Sequence, residues 1–281
     1  MSDFQVWLIT GCSSGIGRET VLVALAAGHK VIATARRADA LRELEELGAY
    51  GLFLDVTSPA AELRKAVETA VAVYGRIDVL VNNAGQIMLG TLEEASEEEV
   101  NRIFQVNLFG PINLIRLILP HMRERRSGTI INFGSIAGTA GYAGVASYVG
   151  TKFALKGYTE SLNAEVKHLG IRAIYLELGY FRTGVLKVRM LRASRTIPEY
   201  HSPGTAANNM ETWIAEKTST LPGDPRKAAE VIVRVCSGLD GRGIPEYLAL
   251  GTDALMSAGA KIQYVAENIE KWEDVSRSTD F

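Results

Sequence analysis

The segment VASYVGTKFALKGYTESLNAEVKHLG sets a phenol, Tyr148, four residues ahead of an ammonium, Lys152. Apolar and small residues recur there at threes and fours and Gly170 follows as a stop, so the pattern predicts a helix. Four helical residues rise ~6 Å and turn ~400°, which puts both side chains on one face. Such a pair is either a solvated helix face or a tyrosine prepared for acid–base work. The second reading has a quantitative requirement: bringing a tyrosine from ~10 to near 7 takes ~4 kcal/mol of differential stabilisation. One cation ~5 Å away at an effective dielectric of ~20 supplies ~3 kcal/mol. A lysine one turn away therefore has about the right strength, provided the site is dry. Ser135, in NFGSIAG, lies thirteen residues before Tyr148, and Asn107 sits in QVNLFG on a preceding helical stretch.

Short β-branched runs alternating with helical patterns must position these groups. FQVWLIT precedes a helix over roughly 15–27, KVIATA one over 38–47, GLFLDV one over 59–74, and IDVLVNN a long one over about 96–125. GTIINFGS precedes the Tyr148 helix and IRAIYLEL follows it. Buried strands separated by crossover helices imply an α/β fold: a single domain with a doubly wound parallel sheet of about seven strands and helices on both faces. In such sheets ligands bind beyond the carboxyl ends of the strands, where Ser135 falls. Residues 180–222 break the alternation and are expected to be a substrate-loop insertion. GDPRKAAEVIVRVCSG then restarts a helix, with Asp224 as N-cap and Pro225 as its first residue. After the strand EYLAL, a C-terminal helical extension over 252–281 has its helix at roughly 252–272, with Trp272 expected to be a packing anchor.

TGCSSGIG, Thr10–Gly17, turns the first strand into the first helix. Glycines there permit positive φ and bring backbone N–H groups to an anion at a helix N-terminus. The spacing is G-x-x-x-G-x-G, one residue longer between the first two glycines than G-x-G-x-x-G. It reads as a dinucleotide cradle rather than a bare turn. A carboxylate ~20 residues on would select NAD. Arg36 and Arg37 stand there instead, and no acid lies between Glu19 and Asp39. A planar, permanently charged fork suits a 2′-phosphate, so NADP is the expected cofactor; the alternative is two surface arginines opening a helix. Asp55 either caps the next helix or accepts a hydrogen bond from adenine. Asn82 and Asn83, in NNAG, tie neighbouring strands or border the crevice.

The chain has 281 residues, 47% hydrophobic and 22% charged, with a net charge of −2. Those values describe an ordinary globule and exclude a broad nucleic-acid or anionic-membrane footprint. Two cysteines, Cys12 and Cys236, make no disulfide framework, and no Asn-x-Ser/Thr acceptor occurs. The opening MSDFQVWLITG lacks a basic region and enters a strand-like run, so no signal peptide is expected there. No apolar run reaches bilayer length, and the four histidines show no metal-ligand spacing. A cytoplasmic, reducing setting and no metal are expected.

With TGCSSGIG, NNAG, the asparagine of VNLFG, the serine of GSIAG and YVGTK in this order, the chain resembles the short-chain dehydrogenase/reductase family, a Rossmann-fold group, in detail over about residues 5–185. The resemblance implies that Tyr148 exchanges a proton with a substrate carbonyl or hydroxyl. Lys152 would hold the nicotinamide ribose and lower the pKa of Tyr148, with the positive ring of oxidised nicotinamide contributing the remainder. Ser135 would bind the reacting oxygen, and Asn107 would fix a water in the proton path. Gly11, Ser13, Ser14, Gly15, Ile16, Gly17, Val56, Asn83, Ala84, Gly85, Gly179, Phe181 and Thr183 would join Arg36, Arg37 and Asp55 around NADP. One departure stands out: where the family reads Pro-Gly, this chain has Leu178-Gly179, which puts the geometry of the following loop in doubt. Met88, Tyr142, Tyr180, Met190 and Leu191 are the candidate substrate contacts. With no arginine placed for an anionic substrate, an apolar ketone or secondary alcohol is expected. A homodimer or homotetramer through the helices of Asn107 and Tyr148 is the expected assembly. The alternatives are non-redox chemistry (elimination, epimerisation or cyclisation) in the same pocket, or an NADPH sensor without turnover.

Overall fold

Val6, Trp7, Leu8 and Ile9 are all buried, as a strand inside a parallel sheet must be. Trp7 and Ile9 face one apolar layer, while Val6 and Leu8 face the other. The computed structural model describes residues 4–184, 190–217, 220–238 and 240–281. In chain order its elements are β1 (Val6–Ile9), α1 (Gly15–Ala26), β2 (Lys30–Ala35), α2 (Arg42–Glu46), β3 (Tyr50–Phe53), α3 (Ala60–Tyr74) and β4 (Val79–Asn82). There follow β5 (Ile87–Leu89), α4 (Glu97–Phe104), α5 (Gly110–Arg125), β6 (Gly128–Phe133), α6 (Ala146–Val166) and β7 (Ile171–Leu178). The last are β8 (Met190–Arg192), α7 (Pro198–His201), α8 (Ala206–Lys217), α9 (Pro225–Cys236), β9 (Tyr247–Leu250), α10 (Thr252–Lys271) and α11 (Glu273–Arg277).

Seven strands form one parallel sheet in the order β3-β2-β1-β4-β6-β7-β9. α1 and α9 supply the apolar layer on one face, α3 and α5 that on the other. The expected doubly wound sheet is therefore present, and the strand order reverses direction between β1 and β4, where a crevice opens.

Asp224 caps α9 by accepting from the amides of Arg226 and Lys227, with Pro225 at the first helical position. Other local expectations are corrected. The helix over 38–47 is a 3₁₀ turn, Ala38–Leu41, followed by only the five residues of α2. Asp55 does not cap α3, whose N-cap is Pro59; its Oδ1 instead accepts from the amide and hydroxyl of Thr57. Trp272 is 53% exposed and anchors nothing in the core. The long helical stretch Glu97–Arg125 has, by length and composition alone, enough apolar residues to cross a membrane, more than the sequence pattern suggested. More than half of its apolar part is buried against the rest of the protein, as in a core helix.

The insertion, whose residues 185–189 and 218–219 lie outside the described set, returns to the body through a second, two-stranded parallel sheet, β5 with β8. Its segment 193–201 is held by amide–carboxylate bonds: Ser194 donates to Glu99, and Ile197 to Glu94. His201 joins the same buried Glu94 at 2.6 Å. The insertion is thereby fastened over the carboxyl edge of the sheet, with α8 as its inner wall.

Candidate active site

The cradle comes first along the chain. Gly11 and Gly15 take φ of 72° and 66°, which glycine alone adopts readily. A Cβ on Gly17 would collide with the Asn83 amide. That amide donates to the carbonyls of Thr10 and Gly11 at 2.6 and 3.1 Å, so Asn83 ties the end of β4 to the turn after β1. Asn82 donates to Asn132 at 2.8 Å and joins β4 to β6. The turn delivers Ser14, Gly15 and Ile16 to the rim of a cleft. Ser14 is the N-cap of α1 by position, although its hydroxyl makes no capping bond.

β6 delivers Ser135. Immediately beyond the strand, a 3₁₀ turn, Ile136–Gly138, is capped by Ser135 Oγ, which accepts from the Ala137 amide at 3.1 Å. The turn rests on Tyr175 of β7, a fully buried ring whose hydroxyl lies 3.3–3.4 Å from the amide and carbonyl of Ser135 and from the carbonyl of Lys152. Gly134 and Gly138 are glycines because a Cβ on either would run into that tyrosine. Gly138→Ala is expected to cost about 1–3 kcal/mol by overpacking, read as a lower urea midpoint, with activity falling as Ser135 shifts.

α6 delivers the pair. Lys152 Nζ lies 5.8 Å from the centroid of the Tyr148 ring, so the two share a face as the spacing requires. Lys152 is buried and donates to the Phe133 carbonyl at 2.7 Å. Burial lowers its pKa to about 8. Tyr148 departs from expectation. Desolvation raises its pKa from the ordinary tyrosine value, and the hydrogen bond with Ser135 offsets only part of that rise. The sequence argument counted the attraction of the lysine but not the desolvation of the phenol. With the chain's own groups alone, Tyr148 is a protonated hydroxyl at neutrality.

Asn107 lies in a π-helical turn, Gln105–Phe109, between α4 and α5. Pro111 has no N–H to offer the Asn107 carbonyl, which interrupts the α-helical ladder at that point. The side chain is fully buried: Oδ1 accepts from the Gln86 amide at 2.9 Å, and Nδ2 donates to the Gln86 carbonyl at 2.8 Å and to Thr151 at 3.2 Å. Asn107 therefore positions the loop after β4 against α6, and Gly85 of that loop lies beside Lys152.

The loop after β7 is fixed without a proline. Gly179 donates to the Leu250 carbonyl at 2.9 Å, and the Tyr180 amide donates to Asp253 Oδ2 at 2.6 Å. A Cβ on Gly179 would occupy the place of that carboxylate. Phe181 pairs with Gly223, and Thr183 stands across from Gly15.

The resulting cleft has a volume of ≈ 1230 Å³, including the part open to solvent. Of the expected residues it is lined by Ser14, Gly15, Ile16, Asn83, Gly85, Ser135, Tyr142, Tyr148, Lys152, Gly179, Tyr180, Phe181 and Thr183. Gly11, Ser13, Gly17, Ala84 and Asn107 lie outside its lining. So do Arg36 and Arg37 at the end of β2, Asp55, and Val56, whose side chain and carbonyl lie where a Cβ on Gly110 would come. Met88 is buried within β5, and Met190 packs in the apolar cluster behind Tyr148; neither lines the cleft, nor does Leu191. Met210, Trp213 and Ile214 of α8 and Leu221 line it instead, with Trp213 tilted against Tyr180 at 4.5 Å. Their sequence signal was only an apolar spacing within the insertion. Gln86, also unforeseen, lines the cleft, and its Oε1 is buried with no hydrogen-bond partner among the described residues.

These features fit a dinucleotide. The cradle has the form of a helix-N-terminal anion site, Gln86 Oε1 is a buried acceptor with no partner among the described residues, and one cleft runs from the cradle to Tyr148. Arg36 and Arg37 are exposed and make no ion pair among the described residues.

The sequence profile of the family described as short chain dehydrogenase matches residues 5–192. The chain is 41% identical over 181 residues to a 3-ketodihydrosphingosine reductase of Bacteroides thetaiotaomicron, an alignment covering 64% of this chain and 65% of that protein. It is 31% identical over 276 residues to oxidoreductase BOA17 of Botryotinia fuckeliana, covering 97% and 98%. A crystal structure of a short-chain dehydrogenase from Streptomyces avermitilis superimposes with a TM-score of 0.90 at 39% identity, covering all of both chains.

Proposed function

Because the chain belongs to the short-chain dehydrogenase family, an oxidoreductase family, we propose that it is an NADP(H)-dependent reductase of apolar ketones, forming secondary alcohols. One observation carries the reading: a half-buried, protonated Tyr148 hydrogen-bonded to Ser135, with Lys152 on the same face, at the end of a cleft that begins in a glycine cradle.

NADPH, when bound, supplies the hydride. The backbone of Gly11–Gly17 would hold its pyrophosphate, Arg36 and Arg37 its 2′-phosphate, and Lys152 its nicotinamide ribose. Ser135 and Tyr148 donate hydrogen bonds to the substrate oxygen, and Tyr148 gives up its proton as that oxygen gains charge. Lys152 stabilises the phenolate left behind. Tyr142, Val145, Trp213 and Ile214 exclude water and select apolar substituents. A phenol held above its usual pKa keeps its proton at neutrality, which favours reduction over oxidation. The keto substrate in the name of the Bacteroides relative points the same way.

We further propose a reducing, cytosolic setting, in keeping with two buried cysteines, Cys12 and Cys236, that form no disulfide. Homo-oligomerisation across α5 and α6 is proposed on the exposed Phe109 and Phe153 at that face. The test is consumption of NADPH, followed at 340 nm, across ketones of graded polarity. Stoichiometric alcohol formation, fastest with apolar ketones, is expected. NADPH binding with no turnover of any ketone would favour the sensor reading, and product formation without cofactor consumption the non-redox one.

A further inference from the structure

Beyond its N-terminal turns, which carry Asp253 and the buried Ala254, the last long helix lies apart from the core. Of the twenty residues of α10 only Ala254 is buried. Leu255, Ile262, Val265, Ile269 and Trp272 are exposed at 62, 71, 41, 66 and 53%. With the half-buried Ala258 they fall at steps of three, four, three, four and three, the heptad seam of a coiled coil. Met256 (70%) and Tyr264 (58%) flank the stripe. Scaled by those exposures, these side chains present on the order of 800 Å², one partner's share of a standard interface.

We propose that this seam pairs with the α10 of a second copy, antiparallel about a two-fold axis. The sequence is self-complementary in that direction. Leu255 meets Trp272 of the partner subunit, Ala258 meets the partner's Ile269, and Ile262 meets the partner's Val265, so all six seam positions are filled in one register. Small residues, Gly259 and Ala266, flank the contact and let the backbones approach. Charge selects the same orientation. Glu267, Glu270, Glu273 and Asp274 outnumber Lys271 and Arg277 at the C-terminal end of the helix and its continuation, where Arg277 pairs with Glu273. A parallel pair would stack these carboxylates on one another, whereas an antiparallel pair sets them at opposite ends. The acidic rim also disfavours an anionic membrane surface, where basic residues are needed. The seam is separate from the α5–α6 face.

The test is register-specific. Ala258→Cys/Ile269→Cys should give a reducible covalent dimer on mild oxidation, without competition from the buried Cys12 and Cys236. Ala258→Cys alone should not cross-link, because its counterpart lies eleven residues away along the partner, ~16 Å. Ile262→Glu/Ile269→Glu should halve the mass seen by light scattering, with far-ultraviolet circular dichroism unchanged. Three results would overturn the proposal: cross-linking by Ala258→Cys alone, an unchanged mass in the glutamate variant, or sedimentation with phosphatidylcholine vesicles without cross-linking of the double cysteine variant.

Discussion

Tyr148→Phe should lower kcat with an apolar ketone by ~10²–10⁴, the range of a positioned general acid, while NADPH binding measured by fluorescence titration changes little. Phenylalanine keeps the ring that packs in the cluster of Leu89, Val145 and Trp213, so the loss reports the proton and not the fold. The same chemistry sets the pH profile. Lys152 has a pKa lowered to about 8, so its charge is lost as pH rises through that value. kcat/KM should then fall on the alkaline side from about pH 8. The raised pKa of Tyr148 moves its own limb to still higher pH. A variant that retained wild-type turnover, or a profile flat to pH 10, would remove Tyr148 or Lys152 from the roles assigned to them.

Arg36→Ala/Arg37→Ala should raise KM for NADPH by about 10²-fold and leave KM for NADH within a factor of about three. Two charge-assisted bonds at ~1.5–3 kcal/mol each could reach ~10⁴, but both guanidinium groups are exposed, and solvent screening puts the expectation at the lower end. The comparison with NADH makes the measurement specific, since a damaged cradle would weaken both cofactors alike. Equal losses would reassign the arginines to the protein surface.

The sheet and cradle were legible in the sequence because their constraints are local. A strand buried on both faces must be apolar throughout, as Val79–Val81 is, and a turn at positive φ calls for glycine. Tyr148 and Lys152 were legible because one helical turn fixes their relation. What escaped depends on contacts distant along the chain. Asp253 fastens the Tyr180 amide from 73 residues away, so Leu178 in place of a proline put the geometry of the loop in doubt when a carboxylate in fact holds it. Trp213 enters the cleft only because β8 and Glu94 fasten the insertion down. The direction of the Tyr148 pKa was missed for a different reason: desolvation belongs to the finished interior and has no counterpart in spacing.

The bond from Asp253 to Tyr180 also bears on synthesis. A ribosome extrudes the glycine turn, Ser135, Tyr148 and Lys152 long before residue 253 leaves its exit tunnel. The nascent chain therefore carries a full complement of reactive groups around a crevice whose Tyr180 wall has yet to be clasped, and catalytic competence arrives late in translation, with α10.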